Sequence, residues 1–295
     1  MRVLEPHQFN QIKKKKTKHP RKVPLSAVVI PGLVIILVLG YVTIGQSYFH
    51  KAAAPANPQE ANGSEASKAT PTKELELKTF TSDEFKKLYT AFAYPNTQPL
   101  TDYPTITGNP NADQRIYDIA ERRGYKLSSV PVANIVKIDE PYLTEDDLLQ
   151  QNAKLGWDGL MQAAQKESIP LQITSAYRTI DFQRTLFLRE MRSAGVNEFG
   201  IADGYSDAAV ERILERVAPP GFSRHHNGYT IDLACNGVGL YGFRNTTCYE
   251  WLSKNNFEVA KKNGWVPSYP DQTELQGPEP EPWEFIWVGT INLYE

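Results

Sequence analysis

Three short stretches of this 295-residue chain hold side chains whose types and spacing could do chemistry. The first is Ser175-Ala-Tyr-Arg178, with Gln183 shortly after it. The second is Ser223-Arg-His225-His-Asn-Gly228-Tyr-Thr-Ile-Asp232, and the third is Glu281-Pro-Trp-Glu284. On an extended chain Thr230 and Asp232 point one way, while Tyr229, Ile231 and Leu233 point the other. An acid among apolar neighbours needs a partner or a metal, because an uncompensated buried charge is costly. His225 stands seven residues before Asp232, and Gly228 between them can supply the bend that folds the histidine back. An imidazole nitrogen with a carboxylate oxygen is an ordinary pair of zinc ligands. Two other readings satisfy the same residues: Asp232 paired with Arg178 or capping a turn, and His225 as a surface histidine. Spacing alone leaves all of these open. The remaining histidines of the five are His7, His19, His50 and His226. Neighbours on an extended chain point apart, so His226 is not expected to share an ion with His225.

Taken together, Ser223-x-His225-x-x-Gly228-x-x-x-Asp232 closely resembles the signature of the VanY-type D-alanyl-D-alanine carboxypeptidases. These are zinc DD-peptidases related to the VanX dipeptidases and to the hedgehog-like zinc fold. The resemblance implies that His225 and Asp232 are zinc ligands, with Thr230 where the family usually has alanine. Ser175-Ala-Tyr-Arg178 and Gln183 are similar to the family's Ser-Gly-Tyr-Arg followed by Gln. Arg178 would then orient the substrate and polarise its carbonyl, a task suited to a two-donor guanidinium. Tyr177, Gln183 and Ser223 are expected beside it as substrate contacts. Glu281-Pro-Trp-Glu284 matches the family's Glu-Pro-Trp-His in part. Glu281 falls at the general base, and Glu284 falls where the third ligand, a histidine, is expected. If Glu284 ligates, the resulting His-Asp-Glu set is richer in oxygen and less selective against harder ions.

The activity implied is metal-dependent removal of the terminal D-Ala from peptidoglycan stem peptides. Two alternatives stand beside it. One is a peptidoglycan endopeptidase on the same site, and the other is an inactive wall-binding protein that has lost zinc because of Glu284.

The elements that must position these groups read as a mixture without regular βαβ alternation. The expected class is therefore α+β, a small, mostly antiparallel central sheet flanked by helices. Ser82 is a candidate N-cap for a helix carrying Phe85, Leu88, Tyr89 and Phe92 at helical spacing. Further helices are expected over 112–123, ended by Gly124, and over 182–193 and 249–263. Another is expected over 144–166, with Thr144 and Asp147 as a capping pair and Leu148, Leu155, Leu160 and Met161 as its apolar face. Strands are expected over 171–175, 227–233 and 285–288. The stretch 94–132 carries no interpretable motif.

Charge is distributed unevenly. Residues 1–22 hold eight Lys or Arg against Glu5, a surplus of +7 that leaves the rest at −9 within a total of −2. So acidic a remainder argues against nucleic acid as a partner. The basic tail precedes Leu25 to Ile44, a run without charge that is long enough to span a bilayer core as a helix. The positive flank keeps the N-terminus in the cytoplasm. The expected organisation is a basic cytoplasmic tail (1–22), a transmembrane anchor (23–49), a flexible linker (50–78) and an extracytoplasmic peptidase-like domain (79–295). A cleaved signal peptide is the competing reading of the apolar run. A bacterial cytoplasmic membrane location with the domain outside follows; Cys235 and Cys248 could close a short loop as a disulfide in that oxidising compartment, the other reading being two separate free thiols.

Overall fold

A computed structural model describes residues 75–133, 135–138 and 148–295. The expected tail, anchor and most of the linker lie outside the described residues, as do Thr144 and Asp147. Among the described residues no helix is long and apolar enough to cross a membrane.

Helix α1 (Ser82–Ala91) starts one residue earlier than the sequence suggests. Thr81 is the cap, and with Glu84 it forms a reciprocal capping box. Strand β1 (Thr97–Pro99) pairs antiparallel with β2 (Ser129–Pro131), and α2 (Pro110–Arg122) lies between them in sequence. Asn109 caps α2, and Arg122 ends it just before the positive-φ Gly124. Strand β3 (Ile135–Lys137) pairs with β4 (Leu148–Gln150), so α3 (Gln151–Lys166) begins later than the apolar spacing suggests. Its buried face is Ala153, Trp157, Leu160 and Ala164, while Leu155 is 60% exposed.

Beyond α3 come β5 (Leu171–Ser175), α4 (Ile180–Ser193), α5 (Glu198–Ala202) and α6 (Asp207–Leu214). Strand β6 (Thr230–Cys235) starts three residues later than expected. Arg224–Asn227 instead coil into a 3-10 turn, closed by Gly228 at φ 76°. Strand β7 (Val238–Gly239), helix α7 (Thr247–Lys262), β8 (Trp265–Tyr269) and β9 (Glu281–Trp287) complete the chain. Non-helical backbone at Lys254–Phe257 interrupts α7, and there the Asn256 side chain bonds both backbone groups of Phe80. Sequence periodicity missed α5, α6 and β8.

The main sheet is five-stranded and antiparallel throughout, ordered β5-β6-β9-β8 with β7 paired to the end of β6. Every residue of β6 is buried, as befits a central strand. Ile173, Ile231, Leu233, Trp265 and Phe285 join Trp157 and Leu160 of α3 in one hydrophobic core. A second core gathers Ile116 and Ile119 of α2 with Phe187, Val210, Ile213 and Phe222. Cys235 and Cys248 form a disulfide, tying β6 to the first turn of α7.

Candidate active site

Strand pairing assembles the site. Ser175 on β5 lies opposite Asp232 on β6, and Asp232 lies opposite Glu284 on β9. Two carboxylates directly opposite on neighbouring strands repel, so the pairing calls for positive charge close to both. Both are nearly buried, at 4% and 5% exposure. Glu281 stands three residues before Glu284, a spacing that regular alternation sends to the other face. The register between β8 and β9 slips between Pro267 and Tyr269, and Glu281 reaches the same cleft as Glu284.

The histidine arrives from the 3-10 turn. Its Nδ1 lies 2.5 Å from the carbonyl oxygen of Ala176, which can only accept, so Nδ1 carries hydrogen and Nε2 faces inward. Two further bonds lace the turn to the loop after β5. The Arg178 N–H donates to the His225 carbonyl at 3.2 Å, and His226 Nδ1 donates to the Arg178 carbonyl at 2.7 Å. His226 Nε2 accepts from the Gly221 N–H, so both ring nitrogens of the second histidine are held by backbone groups; the two histidines part within a 3-10 turn and not on the extended chain that the sequence suggests. An added Cβ on Gly228 would stand 3.2 Å from the Gln150 side chain, on a backbone that already favours glycine.

His225 Nε2 is 3.3 Å from Asp232 Oδ1 and 3.3 Å from Glu284 Oε2. Ligand atoms around a tetrahedral ion at about 2.1 Å stand about 3.4 Å apart. Nε2 and Oδ1 are buried without a hydrogen-bond partner among the described residues, and one donor atom from each of the three residues falls within 4.8 Å of the others. Orphaned donors converging in this way fit a divalent cation, with Glu284 in the set. In the bare chain burial and Arg178 push the His225 imidazole down, but Asp232 and Glu284 outweigh them and hold it up at about 9. The cluster calls for positive charge.

Asp232 also pairs with Arg178, whose Nη2 donates to Oδ2 at 2.5 Å. The ion-pair reading of Asp232 is therefore realised through Oδ2, while Oδ1 is left facing His225 Nε2. Arg178 Nε donates to Ser175 Oγ at 2.8 Å, and Nη1 makes no hydrogen bond with the described residues. These groups open onto a cleft of about 470 Å³ lined by Arg178, Gln183, Ser223, Glu281 and Trp283 among others. Burial, together with the charges of Glu284 and Asp232, pushes the Glu281 carboxyl well above the usual carboxylate range. Gln183 is 1% exposed and donates to the Ala218 carbonyl, while its Oε1 has no partner among the described residues. Tyr177 is the exception among the expected residues. It is not among the cleft-lining residues, and its backbone N–H donates to the Leu148 carbonyl of β4.

Two residues escaped the sequence reading. Arg224 is sandwiched between the rings of Tyr269 and Tyr89, at 3.6 and 4.1 Å from their centroids. Its Nη1 donates to Ser268 Oγ at 2.6 Å, and Ser268 Oγ donates to Glu284 Oε1 at 2.5 Å. Arg224 sits inside the second motif, a signal that was available, whereas Ser268 belongs to no motif.

The stretch that carries these groups is similar to known proteins. The family model VanY, D-alanyl-D-alanine carboxypeptidase, matches residues 146–290. A D-alanyl-D-alanine carboxypeptidase of Enterococcus faecalis is 32% identical over 132 residues, which is 44% of each chain. One from Enterococcus faecium is 33% identical over 102 residues, or 32% of this chain and 31% of the relative. The chain thus spans less than half the length of these relatives. Among solved structures, the LdcB LD-carboxypeptidase is 27% identical with a TM-score of 0.44, covering 55% of this chain and 71% of that one. VanYB in complex with D-alanine-D-alanine is 23% identical with a TM-score of 0.43, covering 55% and 80%. The matched stretch holds all three chemical motifs, and through its residues 146–290 the chain belongs to the VanY-type D-alanyl-D-alanine carboxypeptidase family.

Proposed function

We propose that the protein is a metal-dependent peptidase that removes the terminal D-Ala from peptidoglycan stem peptides. The observation that carries this reading is the convergence of His225 Nε2, Asp232 Oδ1 and Glu284 Oε2 beside Glu281 at the cleft. His225, Asp232 and Glu284 would hold one divalent ion, zinc by family likeness. Bound there, such an ion supplies Lewis-acid activation of water and of the scissile carbonyl.

The chain's own groups do the rest. Glu281, with its raised proton affinity, takes a proton from water as the water oxygen adds to the carbonyl carbon. As the C–N bond breaks, Glu281 passes that proton to the departing D-Ala amine. Arg178 offers Nη1 to the substrate's developing oxyanion or terminal carboxylate while its other nitrogens are held by Ser175 and Asp232. Ser223 and Gln183 line the same cleft, where they can shape the seat of the peptide backbone.

The basic stretch 1–22 followed by the uncharged run from Leu25 to Ile44 supports a single N-terminal anchor. We place residues 79–295 outside the cytoplasmic membrane on a tether, where cell-wall peptides are found. The Cys235–Cys248 disulfide suits such an oxidising location.

Purified full-length protein in detergent is to be incubated with pentapeptide muropeptides, alongside elemental analysis. One divalent ion per chain and release of free D-Ala support the proposal. Cleavage at an internal bond would replace it with the endopeptidase reading. Binding without cleavage, and without stoichiometric metal, would replace it with the wall-binding one.

A further inference from the structure

A glutamate is an awkward substitute for an imidazole ligand. Its side chain has one more torsion than histidine and two equivalent oxygens, so it must be steered as well as placed. The structure contains a device for this that the family motif does not include. Strand β8 slips register against β9 between Pro267 and Tyr269, and Ser268 falls in the slip. Such irregularities re-aim side chains, and this serine is fully buried with its hydroxyl on Glu284 Oε1 at 2.5 Å. A guanidinium can only donate, so the bond from Arg224 Nη1 occupies a lone pair of Ser268 Oγ and directs the hydroxyl hydrogen to Glu284. Arg224 is itself fixed by the rings of Tyr89 and Tyr269 and by a 3.0 Å bond to the Tyr89 hydroxyl.

We propose that Ser268, oriented by Arg224, is a positioning residue that engages Oε1 of Glu284 and thereby presents Oε2 alone to the metal with His225 and Asp232. The inference rests on the metal-site reading above. With Oε1 occupied, Oε2 is the oxygen at 3.3 Å from His225 Nε2, and the carboxylate offers one ligand atom, as an imidazole would. Without the hydroxyl, Glu284 is free to rotate, and the ordering lost from the apo chain must be supplied when metal binds.

The test is a double-mutant cycle on zinc affinity, measured on the full-length protein by competition with a fluorescent chelator. Ser268→Ala in the native background is expected to weaken zinc binding 10- to 100-fold. Ser268→Cys, which conserves volume but is a poor donor, is expected to do the same. In a Glu284→Ala background, where no carboxylate remains to steer, Ser268→Ala is expected to change affinity less than about 2-fold. Circular dichroism confirms that each variant is folded. Unchanged affinity in a folded Ser268 variant, or an equal loss in both backgrounds, overturns the positioning role. Absence of zinc binding by the unmutated protein is a separate result, which overturns the metal-site reading and this inference with it.

Discussion

Arg178 occupies one oxygen of Asp232 and leaves the other for His225: Nη2 donates to Oδ2 at 2.5 Å, while Oδ1 faces the imidazole at 3.3 Å. The arginine therefore orients a ligand from behind as well as facing the cleft. Arg178→Ala strips a buried carboxylate of its counter-charge, for which a stability loss of about 3 kcal/mol is expected. Turnover of a D-Ala-D-Ala peptide is expected to fall at least about 100-fold. Arg178→Lys restores charge but not the fork that spans Ser175 and Asp232, so stability should recover more than turnover. Urea unfolding and steady-state kinetics on the two variants check this.

Glu281→Gln separates chemistry from metal binding. Glu281 stands beside the cluster but is not one of its three converging donors, so bound metal should stay stoichiometric while kcat falls at least about 100-fold. Burial, Glu284 and Asp232 all raise the Glu281 carboxyl. The acidic limb of the pH–rate profile should therefore lie above the ordinary glutamate range, because the base is lost to protonation as pH falls through its raised pKa. Elemental analysis and a pH–rate profile are the measurements.

His226 makes the fold sensitive to acid. Burial first, with the nearby His225 and Arg178 charges, pushes its imidazole down from 6.5 to about 4, against the bond from its ring to the Arg178 carbonyl. Between those values the unfolded chain binds more protons than the folded one, so stability falls as pH falls through the window. The full effect is about 3 kcal/mol, most of it lost by pH 4. In His226→Gln this component should vanish. Urea midpoints of both proteins at pH 7 and pH 4.5 measure the difference.

Reduction of the Cys235–Cys248 bridge, which closes a separation of 13 residues between β6 and α7, should cost about 3 kcal/mol. Denaturant titration of the Cys235→Ala, Cys248→Ala double variant gives the same number without reductant. The site should survive in that variant under mild conditions, because no ligand lies on α7.

The chemical groups were legible because each motif is local in sequence and carries its own geometry. Gly228 marks the bend, whereas the slip that brings Glu281 to the side of Glu284 shows only in the pairing of β8 with β9. Elements whose existence depends on distant partners were not legible. Leu148–Gln150 reads as helix by its apolar spacing, yet pairs with Ile135–Lys137, which moves the start of α3 to Gln151. Ser268 carries no local mark at all. Its role comes from a strand irregularity and from an arginine 44 residues away.

The charged row across the sheet ties folding to chemistry. Side chains alternate along a strand, so sliding β9 by one residue against β6 would send Glu284 to the opposite surface and bring an apolar neighbour to face Asp232. A misaligned molecule could be compact and well bonded yet chemically blank. Correct alignment of β9 on β6, two strands far apart in sequence, thus acts as the assembly check for this cluster.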